Sequence, residues 1–176
     1  MKRVIMVSAV GPYREDPGAA EVWAVNRAFR HQPNATRLYF MDDLEAFEFE
    51  FAHEVAELDI PVVCRRHVDM IPRSEPYPLA EVLAAFGGIQ YFTSTTAYML
   101  ADAIRLGFED ITLHRFMEFP HAEDYAPQKP CLDFWCGMAL GRGIRLRTNQ
   151  ASWLCKPLPE EPALYGYQRR KELEYA

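Results

Sequence analysis

The stretch that decides the fold runs from Tyr91 to Met117 and is YFTSTTAYMLADAIRLGFEDITLHRFM. Its first part is rich in hydroxyl side chains, which is typical of a helix N-terminus. Apolar residues at helical spacing follow, and Gly107 ends that helix before a short buried run at Ile111–Leu113. A helix that leads back into a strand is part of a β-α-β unit. The stretch therefore predicts an α/β domain that holds a ligand at the start of this helix.

The composition indicates one globular domain without a membrane segment. The chain has 176 residues, 49% of them hydrophobic and 25% charged, with a net charge of −6. This charge disfavours a protein that coats nucleic acid, although a local basic patch could still meet such a substrate. No apolar run approaches the roughly 20 residues of a membrane span. The oligomeric state is left open.

The N-terminal sequence and the cysteines favour a cytoplasmic protein. The first apolar run ends in Gly-Pro and charge, as a strand does, rather than in a secretory cleavage site. The chain has four cysteines, and none of them form a CxxC pair or precede a histidine at zinc-finger spacing. We therefore predict no metal site and free thiols.

Short apolar runs and helical patterns alternate along the chain. Strands are predicted at 3–10, 36–41, 60–64, 111–113 and 144–146. Helices are predicted at 19–30, 44–58, 79–86, 97–106 and 132–142, with long loops at 65–78 and 114–130. The spacing of about 25 to 30 residues is that of β-α-β units. We expect one Rossmann-like α/β domain over residues 1–150, with a mainly parallel sheet and helices on both faces. A proline-rich tail, residues 151–176, should pack on it.

Ligands of such sheets bind outside the carboxyl ends of the strands, which directs attention to two segments there. Gly11, Pro12 and Tyr13 follow the first strand, where a glycine lets a ligand approach the backbone; a plain turn is the alternative. Ser94 and Thr95 belong to a run of four hydroxyls before a helix, which could bind phosphate. The simpler interpretation of that run is helix capping.

Further candidates lie near other strand ends. Asn26 is an amide within an apolar helical pattern, where it is either exposed or bonded. Asp42 could hold a ribose or a divalent cation, or could cap the next helix. His114, His121 and Asp124 follow a core strand, and a histidine near a carboxylate can act as a general base. Each of these three could equally be an ordinary loop residue.

A basic patch, residues 65–67, lies on the same predicted edge. It could meet an anionic ligand or form a solvated loop.

Four pieces of the chain resemble a known group of proteins in their order and spacing. They are GPY at 11–13, WAVNRAF at 23–29, RLYFMDD at 37–43 and FTSTTAYMLADAIRLGFEDITL at 92–113. They resemble the bacterial sialyltransferases that use a CMP-activated sugar, and even more a group of small phage-encoded proteins with the same Rossmann-like core. The segment DYAPQKPCLDFWCGMALGRGI at 124–144 stands where those phage proteins have a Tyr-Ala-x-Gln-x-Pro stretch opening a helix.

The resemblance implies a glycosyltransferase-like protein with a nucleotide sugar as donor. Phage modification of a nucleotide, a DNA base or a glycan is the implied setting. The implied nucleotide contacts are Gly11, Pro12, Asn26, Ser94 and Thr95. The residues implied to face the donor phosphates or the acceptor are Tyr125, Gln128 and Lys129. Catalytic activity is left open, because a nucleotide-sequestering module or a structural protein that keeps only the fold would carry the same pattern.

Overall fold

The computed structural model describes residues 1–43, 49–119 and 126–157. Within them the strands are β1 Arg3–Val7, β2 Glu21–Val25, β3 Arg37–Phe40, β4 Val62–Cys64, β5 Ser74–Pro76, β6 Asp110–His114 and β7 Arg145–Thr148. The α-helices are α1 Phe49–Ala56, α2 Leu79–Ala85, α3 Thr95–Arg105 and α4 Lys129–Gly141, and a 3-10 helix spans Asn26–His31.

The strands form a single sheet in the order β5-β4-β3-β2-β1-β6-β7, and every neighbouring pair is parallel. This confirms the predicted Rossmann-like α/β class. The strand order reverses between β1 and β6, because the chain builds outward from β1 in one direction and later returns to its other side. The loops that leave these two strands therefore diverge and open a crevice.

The core is built by alternate residues of buried strands. In β1, Val4 and Met6 belong to the larger apolar cluster, whereas Ile5 and Val7 belong to a smaller one. Side chains of a strand point alternately to its two faces, so β1 is buried on both. Continuous apolar runs in the sequence are the consequence.

Neighbouring residues of β3 contact different helices. The Tyr39 hydroxyl donates to Asp102 Oδ2 of α3 at 2.6 Å, and the Phe40 ring packs on Phe51 of α1 with centroids 5.1 Å apart. Helix α3 is anchored along most of its length by buried residues and also packs against α4. The start of α3 is thereby held at the carboxyl edge of the sheet.

The predicted helix over 19–30 is wrong. This segment forms β2 and the 3-10 helix. Val22, Val25 and Phe29 mimic one face of a helix, yet Val22 packs in the small cluster beside β1 and Val25 in the large one. Parallel pairing with β1 satisfies the backbone, with Val4 opposite Glu21. A strand buried on both faces and a helical turn after it together reproduced the helical spacing.

The other predicted elements are present with shifted ends, except that the first part of the predicted helix 44–58, residues 44–48, lies outside the described residues. The predicted loop over 65–78 contains the short edge strand β5, where Pro76 is tolerated because an edge strand need not donate every N–H. Helix α4 begins at Lys129 rather than 132, with Pro130 in its first turn. The chain stays packed after residue 150, since Ser152 and Leu154 are buried. No helix of the described chain is long and apolar enough to cross a membrane.

Candidate functional site

A cavity of about 290 Å³ lies where the strand order reverses. Its walls come from the ends of β1, β2, β3 and β6, from the start of α3 and from the segment that opens α4. Of the predicted site residues, the structure brings five together here: Asn26, Asp42, Ser94, Thr95 and Gln128. We call this the switch-point cavity.

Helix α3 presents its N-terminus to the switch-point cavity. Ser94 has an extended backbone, with φ −157°, and its Oγ accepts from the Ala97 N–H at 3.4 Å. Ser94 is thus the N-cap, as the simpler interpretation of the sequence held. Thr93, Thr95 and Thr96 also line the cavity, and the first turn of the helix carries no acidic residue. Helix N-termini leave backbone N–H groups unpaired and carry partial positive charge, so this wall suits an anion.

Asn26 and Asp42 form a polar pair on the wall that β2 and β3 supply. Asn26 directly follows β2 with φ +47°, a conformation that amides tolerate better than most side chains. Its Nδ2 donates to Asp42 Oδ2 at 2.9 Å. Among the described residues nothing hydrogen bonds its Oδ1, although that oxygen is buried. A buried acceptor without a partner is costly, and the burial of Oδ1 also keeps it out of contact with the cavity, so the Asp42 carboxylate is the acceptor of this pair that a ligand can reach.

The opposite wall is a turn that follows β6 and is held by charged and amide side chains. Arg115 makes hydrogen bonds through Nε and Nη2 to Glu118, at 3.0 to 3.3 Å. Asn149 accepts from the Arg115 N–H at 3.0 Å and donates to Glu118 at 2.6 Å. Ser8 donates to the Arg115 carbonyl at 2.9 Å. Arg115 and Met117 both have positive φ, so this network fixes an otherwise unfavourable backbone.

Arg115, Glu118 and Asn149 were not predicted as site residues. Arg115 and Glu118 are three residues apart, but Ser8 and Asn149 are distant in sequence, and the paired strands β1, β6 and β7 bring them to this turn. No local motif marks them.

Gly11, Pro12 and Tyr13 are not among the described residues that line the cavity. A Cβ on Gly11 would lie 2.5 Å from Arg115 Nη1, so this glycine makes room for the arginine. Tyr13 is tied through its backbone N–H to the buried Gln32, at 2.8 Å. The segment thus packs beside the cavity wall rather than within it.

His114 ends β6 but is not a described lining residue of the cavity. Its Nε2 lies 3.0 Å from the Pro12 carbonyl, and its ring meets the Tyr13 ring edge-on with centroids 5.3 Å apart. A carbonyl only accepts, so Nε2 carries the proton. Burial lowers the pKa of His114, opposed by the Pro12 bond. The imidazole is therefore a neutral donor to the backbone at neutral pH.

The remaining predicted residues divide into two groups. Lys129 is buried at the start of α4 and binds Asp133 Oδ2 at 2.5 Å, so its charge is directed to its own helix. The residues that lie outside the described part of the chain are His121, Asp124 and Tyr125.

A second cavity of about 410 Å³ adjoins the first at Asp42, which lines both. It is formed mainly by residues 64–70, which include the predicted basic patch. Arg65 forms an ion pair with Asp43, and the His67 Nδ1 lies 2.9 Å from Ser74 Oγ. The patch thus flanks the polar edge of the switch-point cavity while being partly neutralised.

The described residues of the cavity offer groups that can recognise an anion and hydroxyls. Within 1–43, 49–119 and 126–157, no group of three or more His, Cys, Asp or Glu side chains is arranged to hold a metal ion. The switch-point cavity combines a helix N-terminus with a carboxylate and amide pair, which suits a ligand with both an anionic group and hydroxyls. Comparison of the chain with protein-family models, with curated proteins and with solved structures gives no match.

Proposed function

We propose that the protein binds a nucleotide or nucleotide sugar in the switch-point cavity and acts as a glycosyltransferase-type transferase. The observation that carries this proposal is that one cavity joins the start of α3 to the Asn26–Asp42 pair. Nucleotides carry an anion and a vicinal diol within one molecule. Parallel α/β sheets bind such ligands at the point where the strand order reverses.

The two walls suit different parts of the ligand. A phosphate at the start of α3 would accept from backbone N–H groups and from hydroxyls of 93–96. Ribose hydroxyls would donate to the Asp42 carboxylate, which the Asn26 amide holds in place. Phe119 lines the cavity with 57% of its surface exposed and offers a ring on which a base can stack.

For the transfer step, an acceptor hydroxyl would lose its proton to a base and attack the sugar, and the nucleotide phosphate would leave. His121 and Asp124 remain predictions for the base. A nucleotide, a DNA base or a glycan is the proposed acceptor, with long duplex DNA disfavoured by the net charge of −6. The proposed location is the cytoplasm, or the host cytoplasm for a phage protein. The four free cysteines fit it, because structural disulfides are rare there.

The first test is a thermal-shift screen of the full chain against free nucleotides and nucleotide sugars. A ligand at a hundred times its dissociation constant adds about 2.7 kcal/mol to the stability. For a chain of this size that raises Tm by roughly 5 to 11 °C. A shift confined to one base would define the donor class. The absence of a shift with every nucleotide would refute the proposal.

A matched pair of substitutions at Ser94 tests whether the phosphate binds at the start of α3. Asp and Asn both replace Ser as N-caps at little cost, so Ser94→Asp and Ser94→Asn should both fold. Only Ser94→Asp puts a negative charge where the phosphate is proposed. We expect it to weaken nucleotide binding at least tenfold relative to Ser94→Asn, as measured by calorimetry. Equal affinities of the two variants would show that the phosphate does not bind at the start of α3.

Nucleotide binding without turnover is a second candidate, and the position of His114 favours it. That imidazole donates to Pro12 and is not a described wall residue of the cavity. Release of free nucleotide from a nucleotide sugar separates the two candidates. A thermal shift with no release, with or without added acceptors, would select the binding module.

A further inference from the structure

We propose that Cys155 and Cys136 form a thiol pair that a hydroperoxide converts into an intramolecular disulfide. The bond would join α4 to the segment that follows β7. Cys136 is fully buried in α4, whereas Cys155 is exposed in a turn. The two sulfurs are within hydrogen-bonding reach, and neither is in a disulfide.

The turn is built to keep Cys155 against the helix. The Cys155 backbone N–H donates to Asp133 Oδ1 at 2.7 Å, and Asp133 lies one turn before Cys136 on α4. Cys155 has φ +56°, and the buried Leu154 before it anchors the turn in the core. The backbone of Cys155 is thus fixed against the turn of α4 that precedes Cys136.

The two thiols differ in acidity, as an attacking and a resolving cysteine should. The hydrogen bond from Cys136 lowers the pKa of Cys155 to about 7, with a further contribution from the Lys129 ammonium against burial and the Asp133 charge. The same bond and burial raise the pKa of Cys136. Cys155 is therefore the more ionised thiol of the pair at neutral pH and is also the accessible sulfur.

The reaction balances with the hydroperoxide as oxidant. The Cys155 thiolate attacks the distal peroxide oxygen, the O–O bond breaks, and an alkoxide or hydroxide leaves and takes a proton. Cys155 is then a sulfenic acid. The Cys136 sulfur attacks the Cys155 sulfur, the S–O bond breaks, and the Cys136 proton leaves with the hydroxide as water. The two thiols lose two electrons in total, which reduce the peroxide.

Hydrogen peroxide is the probe, applied to the full chain after reduction and removal of the reductant. Whole-protein mass should fall by two hydrogens, and peptide mapping should find Cys136 joined to Cys155. Dithiothreitol should restore both thiols. Cys131→Ser is the matched control, because Cys131 is also buried in α4 but donates to the Tyr91 carbonyl at 3.2 Å. The Cys131→Ser protein should still lose two hydrogens.

Cys155→Ser should keep its mass under the same treatment. A disulfide between two chains, another pairing, or two hydrogens lost by Cys155→Ser would each overturn the proposal.

A second measurement needs no variant. Thiolate fractions at pH 7 for a pKa of about 7 and for the ordinary value of about 8.5 differ roughly fifteenfold. The thiolate of the more acidic thiol is about fivefold less nucleophilic, which reduces the fifteenfold advantage in thiolate fraction to about threefold in rate. Iodoacetamide should therefore label Cys155 about threefold faster in the native chain than in urea. Equal or slower native labelling would overturn the assignment of Cys155 as the attacking thiol.

Discussion

Replacing Tyr39 by Phe should destabilise the protein by about 1.5 to 3 kcal/mol, because it deletes a buried hydrogen bond to a charged acceptor. The Tyr39 hydroxyl donates to Asp102 Oδ2 at 2.6 Å, and the tyrosine is fully buried. Arg105 holds the other oxygen of Asp102 through Nε and Nη2, at 2.9 and 2.7 Å. The substitution leaves that ion pair in place, so the loss reports the Tyr39 bond.

Tyr77→Phe is the matched control. The Tyr77 hydroxyl donates to a neutral acceptor, the Tyr98 carbonyl at 3.0 Å, and that loss should be about 0.5 to 1.5 kcal/mol. Urea unfolding followed by tryptophan fluorescence measures both, with unchanged m-values as the sign that the two states are the same. A Tyr39→Phe loss no larger than the Tyr77→Phe loss would refute the reasoning that the Asp102 charge strengthens the bond.

Three further predictions concern a glycine in a helix, a glycine in a turn and a histidine. Gly137→Ala should raise Tm by about 2 to 4 °C, because the added Cβ meets no atom within 4 Å and Ala costs about 1 kcal/mol less than Gly in a helix; an unchanged or lower Tm in calorimetry would contradict this. Gly11→Ala should lower the free energy of unfolding by up to about 1 kcal/mol, because the added Cβ displaces Arg115 Nη1 from the Val10 carbonyl, which it contacts at 3.3 Å. In a double-mutant cycle, Gly11→Ala should have no such effect when Arg115 is replaced by Met. Folding lowers the pKa of His114, so the unfolded chain takes up the proton at a higher pH than the folded chain does. The free energy of unfolding should therefore fall as the pH falls below about 6.5. Urea midpoints should show a smaller fall in His114→Gln.

Much of the fold is predictable because the signals are local. The β-branched run of β1, the hydroxyl cap of α3 and the glycine that ends it each predict their own element. The error at 19–30 has a physical origin. Periodicity cannot separate a strand buried on both faces from a buried helix when the run is short, and a helical turn directly follows β2.

The candidate site is predictable only on the wall that local chemistry builds. Ser94 and Thr95 stand at a helix start, and Asp42 follows a strand, so their positions follow from the elements. The Arg115 turn is different, since Asn149 is 34 residues away from it and Val10 is 105 residues away. Contacts of that range depend on which strands pair, and a single sequence carries no local record of them.

Because the segment after β7 completes one wall of the cavity, that wall is the last part of the site to form during synthesis. Asn149 and the Trp153 N–H, which donates to the Met117 carbonyl at 2.9 Å, hold the turn that closes the cavity. During synthesis, β1 to β6 and α3 emerge earlier, so the sheet can begin to form around an incomplete wall. A nascent chain therefore cannot present the finished cavity until residue 153 has left the ribosome. A ribosome stalled within α4 would therefore hold a chain that lacks β7, Asn149 and Trp153, and with them the finished wall of the cavity.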